Sequence, residues 1–111
     1  MLKNASAVDR SRSTLTTYSL EFHELALKEW KKLDGSIKVQ FKNALSKRLV
    51  TPHVPAAKLR GDLRNTYKIK LRDVGYRLVY EVIDQHLVVM VIAVGKRDHN
   101  EAYQSAVKRH N

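Results

Sequence analysis

The residues best suited by type and spacing to do chemistry in this chain fall in the run Tyr67-Lys68-Ile69-Lys70-Leu71-Arg72. Strict alternation of apolar and basic side chains is the period-two signature of a strand, so Tyr67, Ile69 and Leu71 share one face and Lys68, Lys70 and Arg72 the other. After the turn residues Asp73-Val74-Gly75 comes a second run in which Tyr76, Leu78 and Tyr80 form the core face and Arg77 lies opposite. Directly opposed residues of paired strands share a face, so burying both apolar sets together requires Lys70 to lie across from Arg77 or Val79. Either register gathers Lys68, Lys70 and Arg77 on one side of a sheet. Like charges set across a sheet repel, which costs stability, and the expected reason for the arrangement is a bound anion. The alternative is that the long side chains splay into solvent and ignore one another.

The elements that must position this cluster follow from the rest of the pattern. Residues 17–22 alternate Tyr18, Leu20 and Phe22 with polar neighbours and read as a short strand. From Glu24 the period becomes helical, with Ala26, Leu27, Trp30 and Leu33 on one stripe and Asp34-Gly35 as the stop. Ser36 is the expected N-cap of a second helix, whose stripe is Ile37, Phe41, Ala44, Leu45 and Leu49, and Pro52 ends it by restricting Thr51. Residues 52–65, with both prolines and Gly61, read as a loop carrying Lys58, Arg60 and Arg64. Strands are expected at 67–72, 76–83 and 87–94 as an antiparallel meander, the last apolar on both faces and therefore central. If Asp84-Gln85-His86 make a three-residue connection, Ala93, Gly95 and Arg97 extend the cationic face, the two small residues leaving room for a ligand. A final helix starts near Asp98, with Glu101 in a capping-box position, and carries Tyr103 through to Val107. The order β-α-α-β-β-β-α implies an α+β fold, an antiparallel sheet packed by two N-terminal helices and a C-terminal helix.

Composition limits the partners. A chain of 111 residues with 43% apolar and 29% charged residues is a single globular domain, expected over 16–111. Residues 1–15 read as a disordered tail or a cloning scar, with a nucleic-acid-binding arm as the less favoured view. Without cysteine there are no disulfides, thiolate metal sites or thiol nucleophiles. The longest apolar run, residues 87–94, has eight residues against the roughly 20 that span a bilayer, so no membrane partner is expected and a cytoplasmic location follows. Lys plus Arg number 21 against 11 Asp plus Glu, and the resulting formal charge of +10 favours a polyanionic partner. The helix lysines Lys28, Lys31, Lys32, Lys38, Lys42 and Lys47 are either solvated surface or an electrostatic footprint on that polyanion. His23, His53, His86, His99 and His110 lack metal-ligand spacing and read as surface or turn residues, and Asp98 and Glu101 read as helix capping.

Taken in order, the runs ALKEWKKL from Ala26, KLRG from Lys58, YKIKLR from Tyr67, GYRLVYEVID from Gly75 and VGKRD from Val94 resemble the RelE family of bacterial toxins. The likeness covers about residues 17–109. It implies a microbial-ribonuclease-like fold, entry into the ribosomal A site among mRNA and rRNA, cleavage of the mRNA there, and no cofactor or metal. It also implies a RelB-like antitoxin wrapped around the toxin, the complex binding operator DNA through that antitoxin. Matched position by position, the family's catalytic set falls on Lys68, Lys70, Arg77, Arg97 and Tyr103. Arg60 matches a basic residue that the family uses near RNA, and Lys58, Arg72 and Tyr76 join it as RNA-binding candidates. Residues 62–66 run about one residue longer than the family pattern.

In such a site a 2′-hydroxyl attacks the adjacent phosphate, and fixed cations stabilise the doubly negative phosphorane as its charge develops. Clustered cations disfavour one another's protonation, so Lys68 or Lys70 could act as base, while the same field could acidify Tyr103. Arg97 would steady the leaving 5′-oxygen. Two other readings compete: a non-enzymatic gyrase inhibitor of the ParE type, which does not rely on this set, and a basic ribosome- or RNA-binding module whose lysines touch only phosphates.

Overall fold

A computed structural model describes residues 17–59, 63–96 and 101–110. The first strand, β1 (Ser19–Phe22), leads through His23 into α1 (Glu24–Lys31), and His23 caps that helix by accepting the Leu25 N–H at 3.2 Å. Ala26 is the fully buried residue of α1, with Trp30 and Leu33 packed beside it against the core. Leu27, placed on the stripe by periodicity, is 36% exposed. The position of the stripe three residues after Ala26 is held instead by Glu29.

Gly35 does not stop α1 but opens α2 (Gly35–Val50), and the N-cap is Asp34 rather than Ser36. The Asp34 carbonyl accepts from Ile37 N–H at 3.1 Å and Lys38 N–H at 3.0 Å, so the second helix begins as soon as the first has closed. Ile37, Phe41 and Leu45 are its buried stripe, ending before Pro52 as expected. The 52–65 connection is more ordered than a plain loop: it holds a 3₁₀ turn, Pro55–Ala57, and an antiparallel bridge from Lys58 to Tyr67.

Three strands, β2 (Thr66–Leu71), β3 (Tyr76–Ile83) and β4 (Val88–Lys96), form the antiparallel meander, and α3 (Glu101–Arg109) closes the described chain. The sheet order is β1-β4-β3-β2, with β1 parallel to β4, so the whole sheet is mixed and β4 is internal. An internal strand covered on both faces explains why residues 88–95 are apolar almost throughout.

The β3–β4 connection differs from the expected three residues. Ile83 pairs with Val88 across a four-residue turn, which by itself would put Arg77 opposite Val94 and turn an apolar side chain onto the cationic face. A bulge restores the pattern: Tyr80 pairs with Val91 but Val79 with Ala93, leaving Ile92 as the extra residue. Val89, Val91 and Val94 therefore face α1 and α2 with Tyr67, Ile69, Leu78 and Tyr80, whereas Ile92 and Ala93 face α3 with Val79, Ala102 and Ala106. The result is three layers, with a larger core under α1 and α2 and a smaller one under α3.

A cationic face beside the terminal helix

Lys70 lies directly across from Arg77, Lys68 lies one inward pair along opposite Val79, and Gly95 flanks Arg77 on β4. All belong to the face that carries the smaller core. The register is the first of the two that the alternation allowed, and it brings three cations to one side. From α3, Tyr103 packs onto this core, and the Arg77 guanidinium sits 4.8 Å from the centre of the Tyr103 ring. A cation over an aromatic face is attracted by the ring quadrupole, so the pair fixes phenol and guanidinium relative to each other. Beside them, Lys70, Leu71, Arg72, Tyr76 and Arg77 line an open cleft. Arg72 falls just past β2, in the turn, and Tyr76 is half-buried against the larger core.

The phenol is not acidified. Burial raises the Tyr103 pKa above its ordinary value of 10.0, and the opposing pull of the Arg77 charge is the smaller of the two. Desolvation of a phenolate beneath the helix outweighs one neighbouring cation, so the Tyr103 phenol is protonated near neutral pH.

Other candidates are dispersed. Lys58 is exposed and paired at the sheet edge with Tyr67. Lys28, Lys31, Lys32, Lys42 and Lys47 are exposed on the helical layer across the sheet from the cationic face, and half-buried Lys38 donates to the Lys31 carbonyl at 3.3 Å. Arg60 and Arg97 lie outside the described residues, as do His99, the Asp98 cap and the 1–15 tail.

Pattern reading missed three charged residues that tie this part of the sheet to the helices, and each sits on the inward stripe of its helix. Arg48, seven residues after Phe41, donates to the Lys68 carbonyl at 3.2 Å and to the Tyr80 hydroxyl at 2.8 Å, while Tyr80 donates to the Pro52 carbonyl at 2.7 Å. It thereby ties the strand bearing the lysines to α2. Glu29 and Arg109 pair across the layers. A charge on an apolar stripe was the available signal, since such a group needs a specific partner. His53 lies on the surface as expected, where it bridges the Tyr67 hydroxyl at 2.8 Å and the Asp84 carboxylate at 3.0 Å, and Tyr18 donates to Asp84 at 2.6 Å. Among the described residues no three His, Asp or Glu side chains form a metal-binding group.

Residues 20–101 match a family model described as ParE toxin of the type II toxin-antitoxin system, parDE. The chain is 54% identical over 92 residues to the mRNA interferase toxin RelE of Escherichia coli K12, spanning 83% of this chain and 96% of the relative. The free E. coli RelE toxin, in a doubly substituted form, superposes with a TM-score of 0.77 at 53% identity, over 84% of this chain and 97% of that one. The chain belongs to the RelE family of toxins. RelE in the intact E. coli RelBE toxin-antitoxin complex also matches, with a TM-score of 0.69 at 54% identity over 71% of this chain and 95% of the other. Although the family model is described by ParE, identity above half along nearly the whole length of RelE places the chain with RelE.

Proposed function

We propose that this RelE-family protein is the toxin of a type II toxin-antitoxin pair and an endoribonuclease that cuts mRNA in the ribosomal A site, inhibiting translation. The observation that carries the reading is the convergence of Lys68, Lys70 and Arg77 on one face, with Tyr103 held against Arg77. A 2′-hydroxyl attacks the adjacent phosphorus, the 5′-oxygen leaves, and a 2′,3′-cyclic phosphate remains. Arg77, with whichever of Lys68 and Lys70 stays charged, would meet the non-bridging oxygens as their charge rises. With Tyr103 held protonated by burial, the proton from the 2′-hydroxyl goes to Lys68 or Lys70, and Tyr103 donates to the phosphorane or the departing oxygen. Arg97 enters this proposal from the sequence as the cation that would steady the leaving 5′-oxygen; Arg60, Lys58, Arg72 and Tyr76 enter as contacts to flanking RNA. None of these steps calls for a metal or an organic cofactor.

The residues assigned to the reaction are cations and a phenol rather than a carboxylate and a histidine acting as acid and base, so much of the rate should come from ordering of the RNA by the ribosome. A RelB-like antitoxin is the expected partner, and operator DNA would be bound through it; a free mRNA cutter in the cytoplasm would otherwise stop its host. The test is primer extension on translating ribosomes with purified protein. Cuts within the A-site codon ending in cyclic phosphate, much faster than on free RNA, are expected. Equal rates on both substrates, or undiminished cutting when the scissile nucleotide lacks its 2′-hydroxyl, would overturn the mechanism. Inhibition of gyrase supercoiling without RNA cleavage would instead favour the ParE-type activity.

A further inference from the structure

Among the described residues, the helix that brings Tyr103 to the cationic face is tied by side-chain hydrogen bonds at its C-terminal end. It has nine residues, below the roughly 12–15 at which an isolated helix persists. Its fully buried residues are Ala102 and Ala106, whose methyl groups pack on Val79, Ile92 and Ala93 but offer no directional grip. Direction comes from its last turn. There the Glu29 carboxylate of α1 accepts from both Arg109 guanidinium nitrogens at 2.9 Å, Nη1 to Oε1 and Nη2 to Oε2. Arg109 Nη1 also donates to the Ile92 carbonyl at 2.9 Å, and Glu29 Oε1 accepts the Val94 N–H at 3.1 Å.

The place of these bonds in the sheet gives them meaning. β1 ends at Phe22, opposite Val91, so past Val91 no strand among the described residues lies beside β4 on that side. Glu29 and Arg109 take up a donor and an acceptor of β4 there, at the bulge that sets Gly95 opposite Arg77. One carboxylate is thus bonded both to the stretch that sets the cationic face and to the helix that carries the phenol. A bidentate fork fixes orientation as well as distance. With the guanidinium 13% exposed and the carboxylate 30% exposed, solvent has limited access to compete. A second tether, His110 Nε2 to the Arg64 carbonyl at 2.8 Å, lies one residue beyond.

We propose that Glu29 is a positioning residue for RNA cleavage: through Arg109 it sets where α3 lies and so holds Tyr103 over Arg77. The inference rests on the nuclease reading above. Glu29→Gln keeps an acceptor for Val94 and removes the charge that grips Arg109; Arg109→Lys keeps the charge and loses the fork. In single-turnover cleavage of ribosome-bound mRNA, both variants should lose about 100-fold in rate at saturating ribosomes, as for a misplacement of about 1 Å, with half-saturation moving less than about twofold. In NMR of ring-¹³C-tyrosine protein, the Tyr103 resonance should move or broaden in both variants while those of Tyr18, Tyr67, Tyr76 and Tyr80 stay. A full cleavage rate, or an unmoved Tyr103 resonance, overturns the proposal. So does a shift of all five tyrosines with matching losses of rate and ribosome affinity, which would make the pair a general support of the fold. If the unsubstituted protein does not cut mRNA, the nuclease reading falls by itself, and the Tyr103 resonance still decides whether Glu29 places that side chain.

Discussion

At the scale of single residues, Tyr103 separates packing from chemistry. Its ring lies 4.8 Å from the Arg77 guanidinium, an interaction that Tyr103→Phe preserves and Tyr103→Ala removes. On the nuclease reading, Tyr103→Phe should lower the cleavage rate by about 10²–10⁴-fold, the range for a lost proton donor, while leaving the unfolding midpoint unchanged. Tyr103→Ala should lose that rate and in addition about 0.5–1 kcal/mol of stability measured by urea titration. Because burial raises the phenol pKa above 10.0, Tyr103 should contribute no limb to the pH–rate profile below that value. A Tyr103→Phe variant of full activity would remove the hydroxyl from the mechanism. The cationic alternation of Lys68, Lys70 and Arg77 was legible in the sequence because a strand's faces follow directly from odd and even positions. The protonation of Tyr103 was not, since it depends on how deeply a helix from elsewhere in the chain covers the ring.

At the scale of elements, turns and ties set the geometry that these side chains inherit. Gly75, at φ 70°, is the positive-φ glycine of the β2–β3 turn beneath the cleft, and a Cβ there would meet nothing within 4 Å. Gly75→Ala should therefore cost only the backbone strain, about 1–2 kcal/mol in urea titration, with the strand register kept. A loss several times larger would point to an interaction at that turn beyond strain. At the opposite end of the meander, Asp84 is held below its ordinary value of 3.8, first by the Tyr18 hydroxyl and then by the His53 hydrogen bond. A depressed carboxylate contributes stability that is present above its unfolded pKa and lost as pH falls through the folded value. Unfolding titrations from neutral pH down through that range should show this loss, and Asp84→Asn should flatten it. An unaltered acid profile in Asp84→Asn would mean that the tie is made only weakly in solution. The helices and the meander were readable from periodicity, whereas the bulge at Ile92 was not, because residues 87–94 are apolar on both faces and give no parity to follow.

For the whole molecule the formal charge is +10, and among the described residues basic side chains gather on two surfaces separated by the sheet: the cationic face beside α3, and the lysine-rich exposed side of α1 and α2. If the second surface grips ribosomal RNA, association with ribosomes should weaken steeply with salt. Replacing Lys28, Lys42 and Lys47 with Gln should then make the log–log slope shallower by about 0.7–0.9 for each phosphate no longer neutralised, while cleavage at saturating ribosomes stays unchanged. An unchanged slope would make those lysines simple solvated surface. The Glu29–Arg109 pair belongs to the same scale, because it joins the first helix to the last across the edge of the sheet.

The chain by itself determined what periodicity and composition can encode: the order of elements, the two faces of β2 and β3, the apolar stripes, the basic excess and the likeness to RelE toxins. Each of those is local, or a property of the total, and survives any rearrangement of distant parts. The tertiary structure alone decided the parallel docking of β1, the extra residue in β4, the burial of Tyr103, and the partners of Arg48, Glu29 and Arg109. Those outcomes join residues up to 80 positions apart, as Glu29 and Arg109 are. A charged group on a buried stripe announces that it must have a partner, because leaving it unpaired there is costly. Only the packing of the layers says which partner it has.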